Sequence, residues 1–340
     1  MSTPRRSWEA TAFSTRRSCQ AADAAGCVTD DVGSGRPFVE ADYLRVRRLL
    51  IDCLPITAPG FLWEVRRWDG WRFYQPDAAF DRRWERDARA WEDASGNLVA
   101  AVHPEGRGTV HLQVHPAQRG LEAEMVAWAE DRLAVEADGS RRLRTPVREY
   151  DRLRQALLEA RGWRRTADWG VTRWLRFGMR PVAPSEVAAG FAVRSLRPGR
   201  RDEALRLAAL LNAAFGRTQH DAPEFLTFEQ HAPDYDPRLH LVAEAPDGSF
   251  AAHVGLTLEP VNRLAIVEPV CTHPDHRRHG LAEALLRHGL ELARQAGAVQ
   301  ACVDTGAGEA ANRLYEAVGF VEVFAAWEWE WRGRRPPQLR

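Results

Sequence analysis

Two halves of this chain repeat one another, which restricts the fold to two copies of one unit. Ala94-Ser95-Gly96-Asn97-Leu98-Val99-Ala100-Ala101 parallels Pro246-Asp247-Gly248-Ser249-Phe250-Ala251-Ala252. Each stretch reads as a hairpin turn entering a strand. His115-Pro116 parallels His273-Pro274, and Leu157–Trp163 parallels Leu314–Phe320. Trp174 then matches Trp331. The offset widens from 152 to 158 and settles at 157. A length of 340 residues leaves room for two such units.

Hydrophobic periodicity outlines the second copy in detail. It predicts strand 191–194, helix 202–215, strands 239–245, 250–258 and 264–272, helix 281–296, strand 298–303, helix 309–317 and strand 322–332. The first copy starts near Pro37-Phe38-Val39, with a helical pattern through Tyr43, Leu44, Val46, Leu49 and Leu50. The expected organisation is an extension over 1–35, a first unit over 36–178 and a linker over 179–190. A second unit over 191–333 and a tail over 334–340 complete it. The extension lacks periodicity and reads as disordered. The fold class is α+β, each copy a mixed, mostly antiparallel sheet flanked by helices.

One segment carries chemistry. The strand-like run Leu264–Cys271 enters Thr272-His273-Pro274-Asp275-His276-Arg277-Arg278-His279-Gly280-Leu281-Ala282, which opens a helix. The first N–H groups of a helix have no intrahelical partner, and the helix dipole adds positive charge there. Gly280 lets the backbone approach a ligand, and Arg277 and Arg278 add charged donors. The turn therefore reads as a phosphate cradle.

The spacing Arg277-x-x-Gly280-x-Ala282 resembles the pyrophosphate-binding turn of the GNAT acetyltransferase superfamily. Ala311-Asn312-Arg313-Leu314-Tyr315-Glu316-Ala317-Val318-Gly319-Phe320 resembles a second element of that family. The resemblance is strong over 191–332 and weak over 38–175. It implies two tandem GNAT-like units, with acetyl-CoA as acyl donor and no metal. Val270 and Thr272, with Cys271 between them, are expected to offer backbone groups to the pantetheine arm. Arg277, Arg278, His279, Gly280, Leu281 and Ala282 are expected to hold the pyrophosphate, with Asn312 close to the arm. Where the family often carries an Asn, this chain has Gly308. Pro269 implies a distorted strand at that point.

Acetyl transfer to an amine needs the neutral amine, whereas an alkylammonium loses its proton only near a pKa of about 10.4. A carboxylate near the nitrogen meets that need. Glu268, on the strand entering the cradle, resembles such a carboxylate in small-molecule GNAT enzymes. Tyr315 matches the family's proton donor to the departing thiolate. In the first copy the corresponding turn is His115-Pro116-Ala117-Gln118-Arg119-Gly120-Leu121-Glu122. Glu122 falls where Gly280 or Ala282 sits, and a carboxylate there repels phosphate. Leu158 replaces Tyr315. The first copy is expected to be degenerate, supporting the fold or shaping the substrate cleft.

The segment 218–236 carries five carboxylates and no Arg. It reads as a solvated loop or as an acidic rim attracting a cationic amine. His220, His231, His273, His276 and His279 lack metal-ligand spacing. A formal net charge of zero argues against a basic nucleic-acid face. Cys19, Cys27, Cys53, Cys271 and Cys302 form an odd, scattered set that fits a reducing cytoplasm. No apolar run is long enough for a bilayer, and the N-terminus lacks a signal-peptide pattern. The expectation is a cytoplasmic enzyme, monomer or homodimer, acting on a small-molecule amine without nucleic acid or membrane. The alternative is a non-catalytic acyl-CoA-binding module.

Overall fold

A computed structural model describes residues 34–74, 86–178 and 181–333. The expected tail over 334–340 lies outside them, as do all but the last two residues of the 1–35 extension and the first two of the 179–190 linker.

In the first half the order is β1 (Arg36–Pro37), α1 (Asp42–Cys53), α2 (Val65–Phe73), β2 (Arg89–Glu92), β3 (Leu98–Gly106) and β4 (Thr109–Val114). There follow α3 (Glu122–Arg132), β5 (Val135–Ala137), β6 (Ser140–Arg148), α4 (Arg152–Ala160) and β7 (Arg164–Arg176). The second half has β8 (Ala192–Ser195), α5 (Arg201–Phe215), α6 (Ala222–His231), β9 (His240–Glu244), β10 (Phe250–Glu259) and β11 (Leu264–Thr272). It closes with α7 (Leu281–Gln295), β12 (Gln300–Gly306), α8 (Glu309–Val318) and β13 (Glu322–Gly333). The expected elements of the second copy are present within a few residues. α6 occupies part of the segment that the sequence reads as a loop or rim.

The repeat is visible in local chemistry. Gly96 and Gly248 have φ of +79° and +83° in matching hairpin turns. Asp93 and Asp247 each accept a backbone N–H two residues on, from Ser95 and Ser249. His115 Nδ1 accepts from the Ala117 N–H at 3.2 Å, as His273 Nδ1 does from Asp275 at 3.3 Å.

All the strands among the described residues belong to one sheet, ordered β1-β2-β3-β4-β6-β13-β7-β12-β11-β10-β9-β8, with β5 paired to β6. The last strand of each half lies in the other half. β7 pairs with β12 from Gly170↔Gly306 to Arg176↔Gln300. β13 pairs with β6 from Arg148↔Ala326 to Arg141↔Gly333. The two exchanged strands then pair with each other across the seam, through Trp174↔Glu322 and Gly170↔Ala326.

Side-chain alternation gives the sheet two buried faces. On β11 and β12, Ala265, Val267, Ala301 and Val303 pack under α7 and α8. Their neighbours Leu264, Ile266 and Cys302 point the other way, into a core with α1 and α2 of the first half. α7 buries Leu281, Ala284, Leu285, Leu286, Gly289, Leu290 and Ala293, an apolar stripe at helical spacing. Each fully buried Leu there contributes about 1.5–3 kcal/mol relative to exposure. No helix among the described residues is long and apolar enough to cross a membrane.

Candidate active site

Parallel pairing between β11 and β12 runs through Leu264↔Gln300, Ala265↔Ala301 and Ile266↔Cys302, then stops. β11 nonetheless continues to Thr272 and β12 to Gly306. Beyond Ile266 the strands part. β10 stays bonded to one edge of β11, at Val254↔Val270, His253↔Cys271 and Ala252↔Thr272. Its register shifts between Val254 and Leu256. A Cβ on Gly255 would lie 2.7 Å from the Glu268 carbonyl oxygen, so only glycine fits beneath this bend. The expected distortion at Pro269 is therefore a splay, which leaves the other edge of β11 without a strand neighbour.

A cavity of about 610 Å³ fills the splay. Glu268, Pro269 and Val270 form one wall, Val303–Gly306 and Tyr315 another, and residues of α2 and α6 close over it. A second cavity of about 490 Å³ extends to the seam between the halves. Glu268, Arg67, Glu105 and Asp304 line both.

Glu268 and Tyr315 thus meet in one cleft. Tyr315 is buried, and burial, then the negative charge of Glu268, push its phenol up to about 12. The phenol is neutral at physiological pH and can donate a proton. Cys271 is buried on the side facing the α5–α6 core. Burial raises its thiol to about 12, so it is no thiolate nucleophile at neutral pH.

At the far end of β11 the turn brings Thr272 and the segment from Arg277 to Ala282 together. Pro274–His276 forms a short 3₁₀ turn, and Arg278 and Gly280 have φ of +70° and +69°. Gly280 is the N-cap of α7, and no side chain caps this helix start. The N–H groups of its first turn, at Leu281, Ala282 and Glu283, therefore lack intrahelical acceptors. By contrast, Asp151 and Asp221 cap α4 and α6. Arg277, Arg278 and His279 are exposed around the uncapped end. Glu283 is turned to Arg287 at 2.9 Å. The arrangement suits a diphosphate.

Asn312 is engaged within the fold. Its Nδ2 donates to the carbonyls of Gly306 and Gly308 at 3.0 and 2.9 Å, and its Oδ1 accepts from Arg173 Nε at 2.8 Å. It ties the loop after β12 to exchanged strand β7.

The equivalent helix start in the first half is closed. Glu122 opens α3 as Leu281 opens α7, and its carboxylate is buried. Arg119 Nε donates to it at 2.7 Å and Arg154 Nε at 3.0 Å. Burial opposes ionisation, but Arg154 and Arg119 outweigh it and hold the carboxyl below its ordinary range. The helix start carries its own anion. Removing one partner of a buried ion pair costs about 3–5 kcal/mol. Arg154→Met should therefore destabilise the fold by about 3 kcal/mol in urea unfolding, because Arg119 retains part of the pairing. A change under about 1 kcal/mol would show that the network is solvent-screened.

Sequence reasoning missed what the first half adds to this cleft. Glu64 and Arg67, at the start of α2, face Glu268 across the junction of the two cavities. Burial, then the charges of Asp304 and Glu268, push the Glu64 carboxyl well above the usual carboxylate range. Arg67 Nε donates to Glu105 Oε1 at 2.7 Å. Arg66 is buried against the rings of Phe228 and Tyr74, 4.3 and 4.9 Å from their centroids. No short motif marks these residues. Pairing β7 with β12 brings them into place. His220 and Glu224 also line the cleft, so the acidic segment does border it. Asp221 with Glu224 three residues on was the readable helix-start signal. Among the described residues no group of three or more His, Cys, Asp or Glu could hold a metal ion.

Residues 204–320 match the model of the acetyltransferase (GNAT) family. The chain is 32% identical over 231 residues to a mycothiol acetyltransferase of Kineococcus radiotolerans, covering 66% of this chain and 72% of that protein. It is 32% identical over 254 residues to the mycothiol acetyltransferase of Nocardiopsis dassonvillei, covering 68% of this chain and 72% of that one. Among solved structures it resembles a GCN5-related N-acetyltransferase from Sphaerobacter thermophilus, with a TM-score of 0.61 and 21% identity. That match covers 90% of this chain and 97% of the other. A tandem GNAT protein from the clavulanic acid biosynthesis pathway matches with a TM-score of 0.63 and 19% identity, over 90% of this chain and 100% of its own. With a splayed sheet, an uncapped helix start and these relatives, the chain belongs to the GNAT family of N-acetyltransferases, in a tandem arrangement.

Proposed function

We propose that the second half, 191–333, transfers the acetyl group of acetyl-CoA to a primary amine of a small molecule by direct attack, both substrates being bound together. The observation that carries this reading is Glu268 and Tyr315 on facing walls of one cleft, beside an uncapped helix start. The free N–H groups of Leu281 and Ala282, with Arg277, Arg278 and His279, would hold the diphosphate. The open edge of Val270–Thr272 would take the pantetheine arm as an added strand. Glu268 takes a proton from the attacking nitrogen, and Tyr315 gives one to the departing sulfur. The first half, 36–178, binds no CoA and lends Glu64 and Arg67 to the acceptor side. Carboxylates at Glu105, Glu268 and Asp304 favour a cationic acceptor.

Thiol release from acetyl-CoA over a panel of amines tests the reading. The relatives' names place mycothiol lacking its acetyl group first in that panel. Binding of acetyl-CoA without turnover of any amine would overturn it. Tyr315→Phe should lower kcat while leaving the acetyl-CoA KM within a few-fold, because the hydroxyl matters as sulfur departs. An unchanged kcat, with chemistry rate-limiting, would assign Tyr315 to packing beside Phe320.

A further inference from the structure

A second proton-accepting pair lines this cleft, and the mechanism above leaves it idle. His220 stands just before α6. Its Nδ1 lies 2.5 Å from Oε1 of Glu224, whose side chain is buried. The backbone of His220 is clamped on both sides by Asn212, which accepts from its N–H at 3.1 Å and donates to its carbonyl at 2.9 Å. Asp221 fixes Glu224 by accepting its N–H at 3.1 Å. The imidazole packs on Phe225, with ring centroids 6.0 Å apart.

A carboxylate only accepts hydrogen bonds, so Nδ1 donates to Glu224, and in the neutral imidazole it is Nε2 that keeps the lone pair. Nε2 has no hydrogen-bond partner among the described residues and is shielded from solvent. Such atoms are rare in folded proteins and call for an explanation. The charged and titratable groups sharing the cleft are Arg66 of α2, Tyr74 just after it, Arg217 after α5, Glu268 of β11, Asp304 of β12 and Tyr315 of α8. Arg67 and Glu105 also border it, tied to each other.

We propose that His220, oriented by Glu224 and uncovered as the acceptor seats in the cleft, accepts the first proton from the acceptor's ammonium group, while Glu268 accepts the second after attack. The inference rests on the proposed acetyl transfer, and proton counting motivates it. An ammonium nitrogen must lose one proton to expose its lone pair. It loses another once the N–C bond has formed, as the C–S bond breaks. Tyr315 gives its proton to sulfur and regains one from Glu268. The proton on His220 leaves to solvent with the product. Two protons leave nitrogen, one ends on the thiol and one in water, so the balance closes with no other reactant.

The test is kcat/KM against pH for the best amine from the panel, with the full chain. His220→Gln should lose about 10²-fold near neutral pH. The loss should shrink to a few-fold near pH 10, where an alkylamine is increasingly neutral without help. Glu224→Gln should show a smaller loss of the same shape. Glu268→Gln should stay impaired at both ends, since the second proton remains to be moved. Acetyl-CoA affinity, set at the start of α7, and melting temperature serve as folding controls. His220→Asn replaces His220→Gln if that variant fails them. No loss, or a loss equal at every pH, would overturn the role of His220 while leaving acetyl transfer intact. An inactive panel would overturn both.

Discussion

Glu268→Gln should lower kcat/KM for the acceptor amine by about 10²–10⁴ while leaving acetyl-CoA binding close to wild type. The substitution keeps shape and polarity and removes only the ability to take a proton. Glu268 sits where β11 has left β12, in contact with both cavities and four residues before the strand ends at Thr272. Donor binding should therefore be spared. Direct attack requires both substrates at once, so initial-rate plots should intersect. A covalent acetyl-cysteine route would give parallel lines. The buried Cys271, its thiol pushed up to about 12, is poorly suited to it. Parallel lines, with a dead Cys271→Ala variant and an active Glu268→Gln variant, would sink this assignment.

Gly280→Glu should abolish acetyl-CoA binding in calorimetry, where the native chain should bind one equivalent. The residue has φ of +69°, a conformation that costs a non-glycine residue about 1–2 kcal/mol. No atom lies within 4 Å of a Cβ placed there, so the chain can still fold. The new carboxylate would settle at the free N–H groups of α7, placing an anion at this helix start as Glu122 places one at the start of α3. It would then hold the place of the phosphates and repel them. Gly280→Ala introduces the strain without the charge and should weaken binding modestly. If Gly280→Glu still bound acetyl-CoA normally, the diphosphate would have to sit elsewhere. Two equivalent sites per chain would overturn the silence of the first half.

Much of this was readable in the chain, for identifiable reasons. The strand over 264–272 and the helix from 281 follow from a short continuous apolar run and a strong helical pattern, and both begin where expected. The repeat located Leu158 and Tyr315 as counterparts, and both face inward from equivalent helices. α6 was harder to read. Its apolar face is only Ala222, Phe225 and Phe228, set among carboxylates and a proline. The tie between Asn312 and Arg173 could not be read at all, because it depends on β7 lying beside β12. Alternation fixes which face a side chain takes but leaves open which strand lies alongside. The first half's share of the cleft was hidden for the same reason.

The exchanged strands also bear on how the molecule is made. β13 emerges from the ribosome after every other described strand, yet its place is near the middle of the sheet, between β6 and β7. A nascent chain carrying all of the first half still presents β6 and β7 as open edges, exposed to mispairing. Closure waits on some twelve residues rich in tryptophan and glutamate, Glu322–Gly333, where charge discourages association until the seam forms. A premature stop just before them would remove the keystone rather than trim an edge, and neither half would be left as a separable module for recombination to inherit.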